Sequence, residues 1–255
     1  GGFTNMILDK IINDGLESLS KMNDISYRID NIIVGKSIYT MKGNDRVFND
    51  MNMCLLLLEQ GYGFTYFQDE LDFQNTQKFV NKDLKVVLKS NPPAFIKVAI
   101  ADAIYSILNN SSAKKYKYLK GNIRRKGILR AQELINSIPE GSKVLLLGAV
   151  TEIIEECNRK KLKLSVLDLE KSKIGLTFSH KTIEDSSKLF ETKVKESDYV
   201  ISTGMIFVTN TADLLFEGIS KYNYKLILYM ESCSHLGKKL LEYGANKVLS
   251  EFFPY

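Results

Sequence analysis

Residues 141–169, GSKVLLLGAVTEIIEECNRKKLKLSVLDL, decide the fold of the C-terminal half of the chain. A short apolar run at 143–150 is followed by an amphipathic helical pattern at 151–160 and by a second apolar run at 163–169. A parallel strand buried on both faces is apolar throughout, and parallel strands are joined by crossover helices. The stretch therefore predicts a βαβ unit.

The alternation of apolar runs and helical patterns continues to the end of the chain. We predict a mostly helical segment at 179–194, a strand at 199–202, a helix at 212–220, a strand at 225–230, a helix at 235–243 and a strand at 247–252. The pattern predicts an α/β fold for residues 113–255, namely a Rossmann-like parallel sheet with helices on both faces.

The first part of the chain, residues 1–112, predicts a smaller α+β domain. This prediction rests on a helical pattern at 6–22, apolar runs at 31–41 and 53–67, and helical patterns at 75–89 and 94–109. Gly61 and Gly63 interrupt the second apolar run, and we expect the backbone to approach another element closely there. The polar, lysine-rich residues 110–120 mark the predicted domain boundary, and a helix at 123–138 leads into the second domain.

Composition limits the class of protein. The chain has 255 residues and a formal charge of +5. It holds neither an apolar run of roughly 18 residues nor a basic-then-apolar leader, so we expect no membrane span and no secretion signal. Cys54, Cys157 and Cys233 are widely spaced and odd in number, which favours free thiols in a reducing compartment. We therefore predict a cytoplasmic protein, with an isologous dimer as the default assembly.

Basic and aromatic residues interleave between residues 114 and 130. Such interleaving occurs on nucleic-acid-binding surfaces, but we favour a solvated linker followed by the polar face of a helix. Nothing else in the sequence resembles a nucleic-acid module, so we expect a small-molecule partner and no nucleic acid. The residues are Lys114, Lys115, Tyr116, Lys117, Tyr118, Lys120, Arg124, Arg125, Lys126 and Arg130.

The candidate binding residues follow predicted strands. Open α/β sheets bind ligands beyond the carboxyl ends of their strands, where the strand order reverses. Gly148 ends the first strand and lets backbone pass close to a ligand, although a lone glycine is not the dinucleotide fingerprint. Asp168 ends the second strand about 20 residues on, where dinucleotide-binding proteins place an acid against a ribose hydroxyl. Its alternative role is to cap the next turn.

A second set of candidates follows the third strand of this domain. Thr203 and Gly204 form a turn, and Thr209 and Asn210 precede the next predicted helix. Free N–H groups at a helix N-terminus attract anions, so carboxylate or phosphate binding is one interpretation. Simple capping of the helix is the other.

The most reactive cluster follows the fourth strand, where Glu231, Ser232, Cys233 and His235 lie within five residues. Glu231 and His235 are the candidate acid/base groups, and Ser232 is a candidate ligand contact. Together with Cys233 they suggest a divalent transition metal or a thiolate paired with a base. Capping of the next helix is the alternative, and no second Cys/His cluster supplies further metal ligands. The sequence contains no Walker A loop, G-x-S-x-G elbow, H-E-x-x-H or C-x-x-C.

The order of elements resembles the heavy-metal-chelation family, a bacterial and archaeal domain of unknown function. In that family an enolase-N-terminal-like leader precedes a Rossmann-like domain. Its small-residue helix resembles residues 99–104, its glycine-and-aromatic strand resembles 61–65, and its Thr-Gly turn resembles Thr203-Gly204. The family's Asn-Gly-Thr and Gly-Pro-Ser correspond here to residues 209–211 and 230–232, and these departures leave the ligand open. The resemblance implies an interdomain cleft, self-association and a small polar, heterocyclic or metal-linked ligand.

Three functional hypotheses follow. The first is an enzyme or ligand-handling protein acting on a small polar metabolite in the interdomain cleft. The second is a protein that binds a metal or a metal chelate through Glu231, Cys233 and His235. The third is a non-catalytic nucleotide-binding or interaction module that uses Asp168 and the basic residues between 114 and 130. The sequence does not distinguish an enzyme from a protein that only binds and carries its ligand.

Overall fold

A computed structural model describes residues 5–41, 47–109 and 119–250. The part up to residue 109, which we call the leader, is an α+β unit in which an antiparallel sheet of order β1-β2-β3 packs against helices. Its elements are α1 (Met6–Ser20), β1 (Asn31–Met41), β2 (Val47–Leu57), β3 (Tyr62–Phe67), α2 (Phe73–Gln77), α3 (Leu84–Lys89) and α4 (Ala94–Leu108).

Helix α4 is the centre of the leader because small residues let the sheet approach it closely. Ala99, Ala101 and Ala103 are fully buried. At Gly63 in β3, an added Cβ would lie 1.7 Å from the carbonyl oxygen of Ala99. The glycine and alanine pattern seen in the sequence therefore reflects direct backbone contact between a strand and a helix, as predicted.

The second part is a Rossmann-like α/β domain built on a seven-stranded sheet of order β10-β9-β8-β4-β5-β7-β6. Except for the antiparallel β6–β7 pair, neighbouring strands are parallel. The strands are β4 (Lys143–Leu147), β5 (Lys163–Asp168), β6 (Thr177–Phe178), β7 (Lys181–Asp185), β8 (Tyr199–Thr203), β9 (Lys225–Met230) and β10 (Lys247–Ser250). The helices are α5 (Ile123–Ile135), α6 (Thr151–Arg159), α7 (Ser186–Lys195), α8 (Ala212–Tyr222) and α9 (Gly237–Glu242).

Helices cover both faces of this sheet, as the apolar strands predict. Side chains of α5 and α6 pack on the face that carries Val144 and Leu146. On the other face, Leu145 belongs to a core that includes α7 and α8 and continues into the leader. The two parts therefore share one hydrophobic core. The strand order reverses between β4 and β8, which places the switch point of a Rossmann sheet at the ends of these two strands.

Two predicted elements were wrong in detail. Residues 179–194 are not mostly helix, since β6 and β7 form a hairpin before α7 begins at Ser186. Ser179 and His180 both have positive φ, at 45° and 64°, as a tight hairpin turn requires. The helix predicted at 75–89 is two short helices because Asn81 has a φ of 62° and Asp83 caps a new helix. The apolar run at 53–67, in which Gly61 and Gly63 predict a bend, covers the end of β2 and all of β3.

Some predictions fall outside the described residues. The domain boundary at residue 112 and the basic, tyrosine-containing residues 114–118 lie there, so both stay predictions. In the described ranges, none of the helices combines the length and apolar content that a membrane crossing requires. Cys54, Cys157 and Cys233 are free and buried.

Candidate functional site: the interdomain seam

Strand β3 of the leader lies against the carboxyl ends of the Rossmann strands. The main-chain N–H of Tyr66 donates to Ser232 Oγ at 2.8 Å, and that of Cys233 donates to the Phe64 carbonyl at 3.0 Å. One residue after β3, the Gln68 amide donates to the Glu170 carboxylate at 3.1 Å. We call this contact between residues 64–68 and the turns that follow β5, β8 and β9 the interdomain seam.

A buried carboxylate of the leader stabilises the interdomain seam by hydrogen bonds to both parts of the chain. Asp102 on α4 is fully buried, and one of its oxygens accepts the Phe64 N–H at 2.9 Å. Its other oxygen accepts the main-chain N–H of His235 at 2.9 Å and lies 3.0 Å from Nδ1 of the same residue. The role of Asp102 is not visible in the sequence, because a lone acid in a small-residue helix carries no local signal of a distant partner.

His235 is enclosed in this arrangement. Its side chain is 4% exposed, and its ring packs edge-on against Tyr62 with centroids 5.0 Å apart. The contacts of His235 are therefore those of a residue that joins the two parts of the chain. Its assignment as an acid/base group stays a prediction.

Glu231 is the more accessible of the two acid/base candidates. Its carboxylate is paired with the Arg130 guanidinium of α5 at 3.1 Å, and the two side chains are 29% and 13% exposed. The guanidinium also lies 4.5 Å from the ring centroid of Tyr229. From the sequence, Arg130 is one of the basic residues expected on a polar helix face. The fold places it at the end of β9.

The turns after β8 and β9 are in tight contact. An added Cβ at Gly204 would lie 2.1 Å from the Ser232 carbonyl oxygen, so a side chain does not fit there. The Thr203 hydroxyl accepts the Met205 N–H at 3.3 Å. Because β8 and β9 are neighbouring strands, the turn with Thr203 and Gly204 lies beside the turn with Glu231 and Ser232, and Ser232 contacts the leader.

Cys233 is buried in the same turn, with a φ of 59°. Burial, followed by the nearby Asp102 charge, raises the pKa of its thiol well above the ordinary value. A thiol in this environment stays protonated at neutral pH and is a poor nucleophile. The geometry gives no support to covalent catalysis.

Asp168 connects the loop after β4 with the loop after β5 through hydrogen bonds. One carboxylate oxygen accepts the Ala149 N–H after β4 at 2.9 Å, and the other accepts the Glu170 N–H at 2.9 Å. Gly148 adopts a φ of 91°, which favours glycine. Asp168 therefore caps the turn that follows β5, which is the alternative role predicted for it.

Glu170 forms a small polar network beside Asp168. Burial raises its pKa, but hydrogen bonds from Lys173, Ser172 and Gln68 outweigh burial and hold the pKa below the ordinary value. Lys173, which is 8% exposed, pairs with Glu170 at 2.8 Å. The end of β3 is thus hydrogen-bonded, through Gln68 and Glu170, to the loop that follows β5.

Thr209 and Asn210 are used within their own turn. The Thr209 hydroxyl donates to the Met205 carbonyl at 2.9 Å, and Asn210 has a φ of 55°. In the first turn of α8, Asp213 accepts the N–H groups of Met6 and Ile7 at 2.8 and 2.9 Å, so this helix start packs on α1. The start of α8 has no side-chain cap hydrogen bond, so Thr209 and Asn210 stabilise the preceding turn rather than cap the helix, and ligand binding by this pair stays a prediction.

The described residues include no group of three or more His, Cys, Asp or Glu side chains that could hold a metal ion. Glu231, Cys233 and His235, although close in sequence, therefore do not form a metal centre in this fold. Their backbone turn directs Glu231 toward Arg130 and His235 toward Asp102.

These features define a Rossmann-like α/β protein whose strand ends are contacted by an α+β leader. No protein-family model and no curated protein matches the sequence. Among solved structures, the chain is similar to a protein of unknown function from the DUF364 family of Desulfitobacterium hafniense DCB-2. That protein is 17% identical with a TM-score of 0.56, and the alignment covers 95% of this chain and 84% of that one.

A second protein of unknown function from the DUF364 family, from Pyrococcus horikoshii, is 13% identical with a TM-score of 0.52. The alignment covers 93% of this chain and 83% of that one. At these identities the similarity establishes the fold alone. The chain therefore shares its two-part architecture with proteins of a domain family of unknown function.

Proposed function

We propose that the chain binds a small anionic metabolite at the interdomain seam and that Arg130 is the anchor for its carboxylate or phosphate group. The observation that carries this proposal is the pairing of Arg130 with Glu231 at the end of β9, beside Ser232 and strand β3. The planar fork of arginine matches carboxylate and phosphate geometry. Stacking on Tyr229 holds the guanidinium in place before a ligand arrives.

The location supports the proposal because Rossmann sheets bind ligands at the carboxyl ends of their strands. Glu231 lies next to the proposed anchor and is partly exposed, so it is the acid/base candidate if the bound metabolite is turned over. Thr203, Gly204 and Ser232 border the same turns and are the expected neighbours of the ligand.

The nucleotide-binding alternative finds less support. In the turn after β4, Val150 stands where the dinucleotide fingerprint has its second glycine, so a side chain fills the space that a pyrophosphate needs. Glu152 adds a negative charge to the first turn of α6. Asp168, the candidate ribose contact, already binds two backbone N–H groups.

The metal-chelate alternative keeps one argument, the resemblance of the element order to the heavy-metal-chelation family. Because the described residues offer no metal ligand set, a metal would arrive with its own organic chelator. A chelator that carries carboxylates would meet the same anchor, so one experiment tests both forms of the proposal.

The test is thermal unfolding and calorimetry of the full chain with small carboxylates, sugar phosphates, nucleotides and chelators with and without zinc, nickel, cobalt or iron. A ligand at a hundred times its Kd adds about 2.7 kcal/mol, which raises the Tm of a domain this size by several degrees. We expect the rise to be lost in Arg130→Gln. It should be kept in Arg124→Gln, which removes the same charge from the same helix and pairs with Glu152 and Glu155 instead.

A response that survives Arg130→Gln unchanged contradicts the anchor. A nucleotide response lost in Asp168→Asn favours the nucleotide module instead. The predicted homodimer and the cytoplasmic location are further parts of the proposal, and light scattering on the purified chain tests the first of them.

A further inference from the structure

Three neighbouring strands of the Rossmann sheet begin with a lysine at its amino edge. Lys143 opens β4 and Lys163 opens β5, and the two are direct partners in the parallel register. Lys181 opens β7 on the other side of β5, where the register pairs Val166 with Ile183. We call these three residues, together with Lys193 on α7, the lysine rim.

The lysine rim surrounds a cavity of about 420 Å³. Val144 and Leu164 form apolar parts of its lining, and the hydroxyl-bearing Ser165 and Ser197 also line it. Glu196 is the acidic residue of the lining. The cavity lies at the opposite end of the strands from the interdomain seam, so it is independent of the proposed function.

Side-by-side lysines on adjacent strands repel one another. In the described part of the chain, Lys143, Lys163 and Lys181 have no carboxylate within 4.0 Å, and Lys193 reaches Glu184 only at 4.0 Å. Asp198 is close, but its carboxylate accepts the main-chain N–H of Lys143 at 2.8 Å. The rim thus concentrates positive charge that Glu184 and Glu196 neutralise only in part.

Other lysines at this edge behave differently. Lys160 donates to the carbonyls of Ile135 and Asn136 at 2.7 and 2.6 Å, and Lys161 pairs with Glu140 at 3.5 Å. Lysines at this edge therefore do bind helix C-terminal carbonyls or carboxylates where such groups are close enough. The rim lysines differ because all four residues line one cavity.

We propose that the lysine rim binds a small polyanion with at least two linked phosphate groups. Besides Lys193, which pairs with Glu184, the three rim lysines without an ion pair among the described residues carry more charge than a single phosphate neutralises. Lysine binds phosphate as a point charge. The cavity volume lies in the range of small-molecule sites rather than of macromolecular surfaces. Free pyrophosphate or polyphosphate and a nucleoside polyphosphate present the same chemistry.

The test is calorimetric titration of the full chain with pyrophosphate, tripolyphosphate, ATP and orthophosphate at fixed ionic strength. The variant is Lys163→Gln with Lys181→Gln. The matched control is Lys188→Gln with Lys195→Gln, which removes the same charge from exposed residues of α7 that pair with Asp185 and Glu191. Each lost charge-assisted hydrogen bond weakens binding about tenfold, so we expect a loss of tenfold or more in the first variant and little change in the control.

Tighter binding of ATP than of tripolyphosphate would identify a nucleotide as the source of the phosphates, and equal binding would identify the phosphate chain alone. Either result supports the site if the Lys163→Gln, Lys181→Gln variant binds the same ligand at least tenfold more weakly. Equal weakening in both variants would show general charge attraction and overturn the proposal. Absence of binding by the wild-type chain to any of the linked phosphates at millimolar concentration would overturn it as well. Loss of carboxylate binding in Arg130→Gln bears on the seam and leaves this site untouched.

Discussion

Asp102 and His235 are 133 positions apart in sequence, yet one carboxylate oxygen of Asp102 lies 2.9 Å from the main-chain nitrogen of His235 and 3.0 Å from its Nδ1. The other oxygen accepts the Phe64 N–H. One side chain on α4 thus satisfies polar groups of β3 and of the turn after β9. The seam is stabilised by a buried polar cluster in addition to the shared apolar core.

Replacing Asp102 should destabilise the whole chain. Asp102→Ala leaves two main-chain N–H groups and the imidazole without this acceptor, and each buried unsatisfied group costs about 1–3 kcal/mol. We expect the free energy of unfolding in urea to fall by about 3–5 kcal/mol. Asp198→Ala, which removes an exposed acceptor of one N–H, should cost about 1 kcal/mol or less. Similar values for the two variants would contradict the assigned role of Asp102.

Gly63→Ala should be among the most damaging small substitutions. Its Cβ would lie 1.7 Å from the Ala99 carbonyl oxygen, so β3 and α4 must move apart. We expect a loss of about 3 kcal/mol or more. Gly35→Ala is the control, because its Cβ would meet only Met53 Cε at 3.7 Å and alanine restricts the unfolded chain. Urea unfolding of both variants should separate them clearly, and equal stability would show that β3 does not require glycine at residue 63.

The buried thiols make stability depend on alkaline pH. Burial raises the pKa of both Cys54 and Cys157 from 9.0 to about 12. Above pH 9 the unfolded chain loses thiol protons that the folded chain retains, so the free energy of unfolding falls as pH rises toward 12. The slope is about 1.4 kcal/mol per pH unit for each thiol.

The variant Cys157→Ala isolates one of these thiols. We expect the stability difference between wild type and variant to be constant below pH 9 and to fall between pH 9 and 10.5, measured by urea unfolding. A difference that does not change over this range would contradict the raised pKa of Cys157.

Asp168→Ala should lower stability in the absence of any ligand. The substitution removes the acceptor of the Ala149 and Glu170 N–H groups and frees the loops that follow β4 and β5. We expect a loss of about 2 kcal/mol, seen as a lower urea midpoint. An unchanged midpoint would indicate that Asp168 is held in place for a ligand rather than for the fold. Binding studies on this variant therefore need the unfolding measurement beside them.

Much of the Rossmann part could be predicted from the sequence. Apolar runs such as that of β4 report burial on both faces, and burial is a property that each segment carries in its own composition. The β6–β7 hairpin was missed because strands of two and five residues give too short a pattern to outweigh the helical residues that follow. Gly61 and Gly63 in the leader were informative because a glycine within an apolar run marks a close backbone approach locally.

The site depended far more on tertiary structure. The sequence by itself determined which turns follow the strands, and so placed Gly148, Asp168, Thr203, Gly204, Glu231 and Ser232 at one edge of the sheet. Only the folded chain decided that His235 faces Asp102, that Glu231 faces Arg130, and that β3 lies against Ser232. The physical reason is that hydrophobic periodicity is local, whereas a polar side chain takes its role from partners that the fold brings from distant parts of the chain.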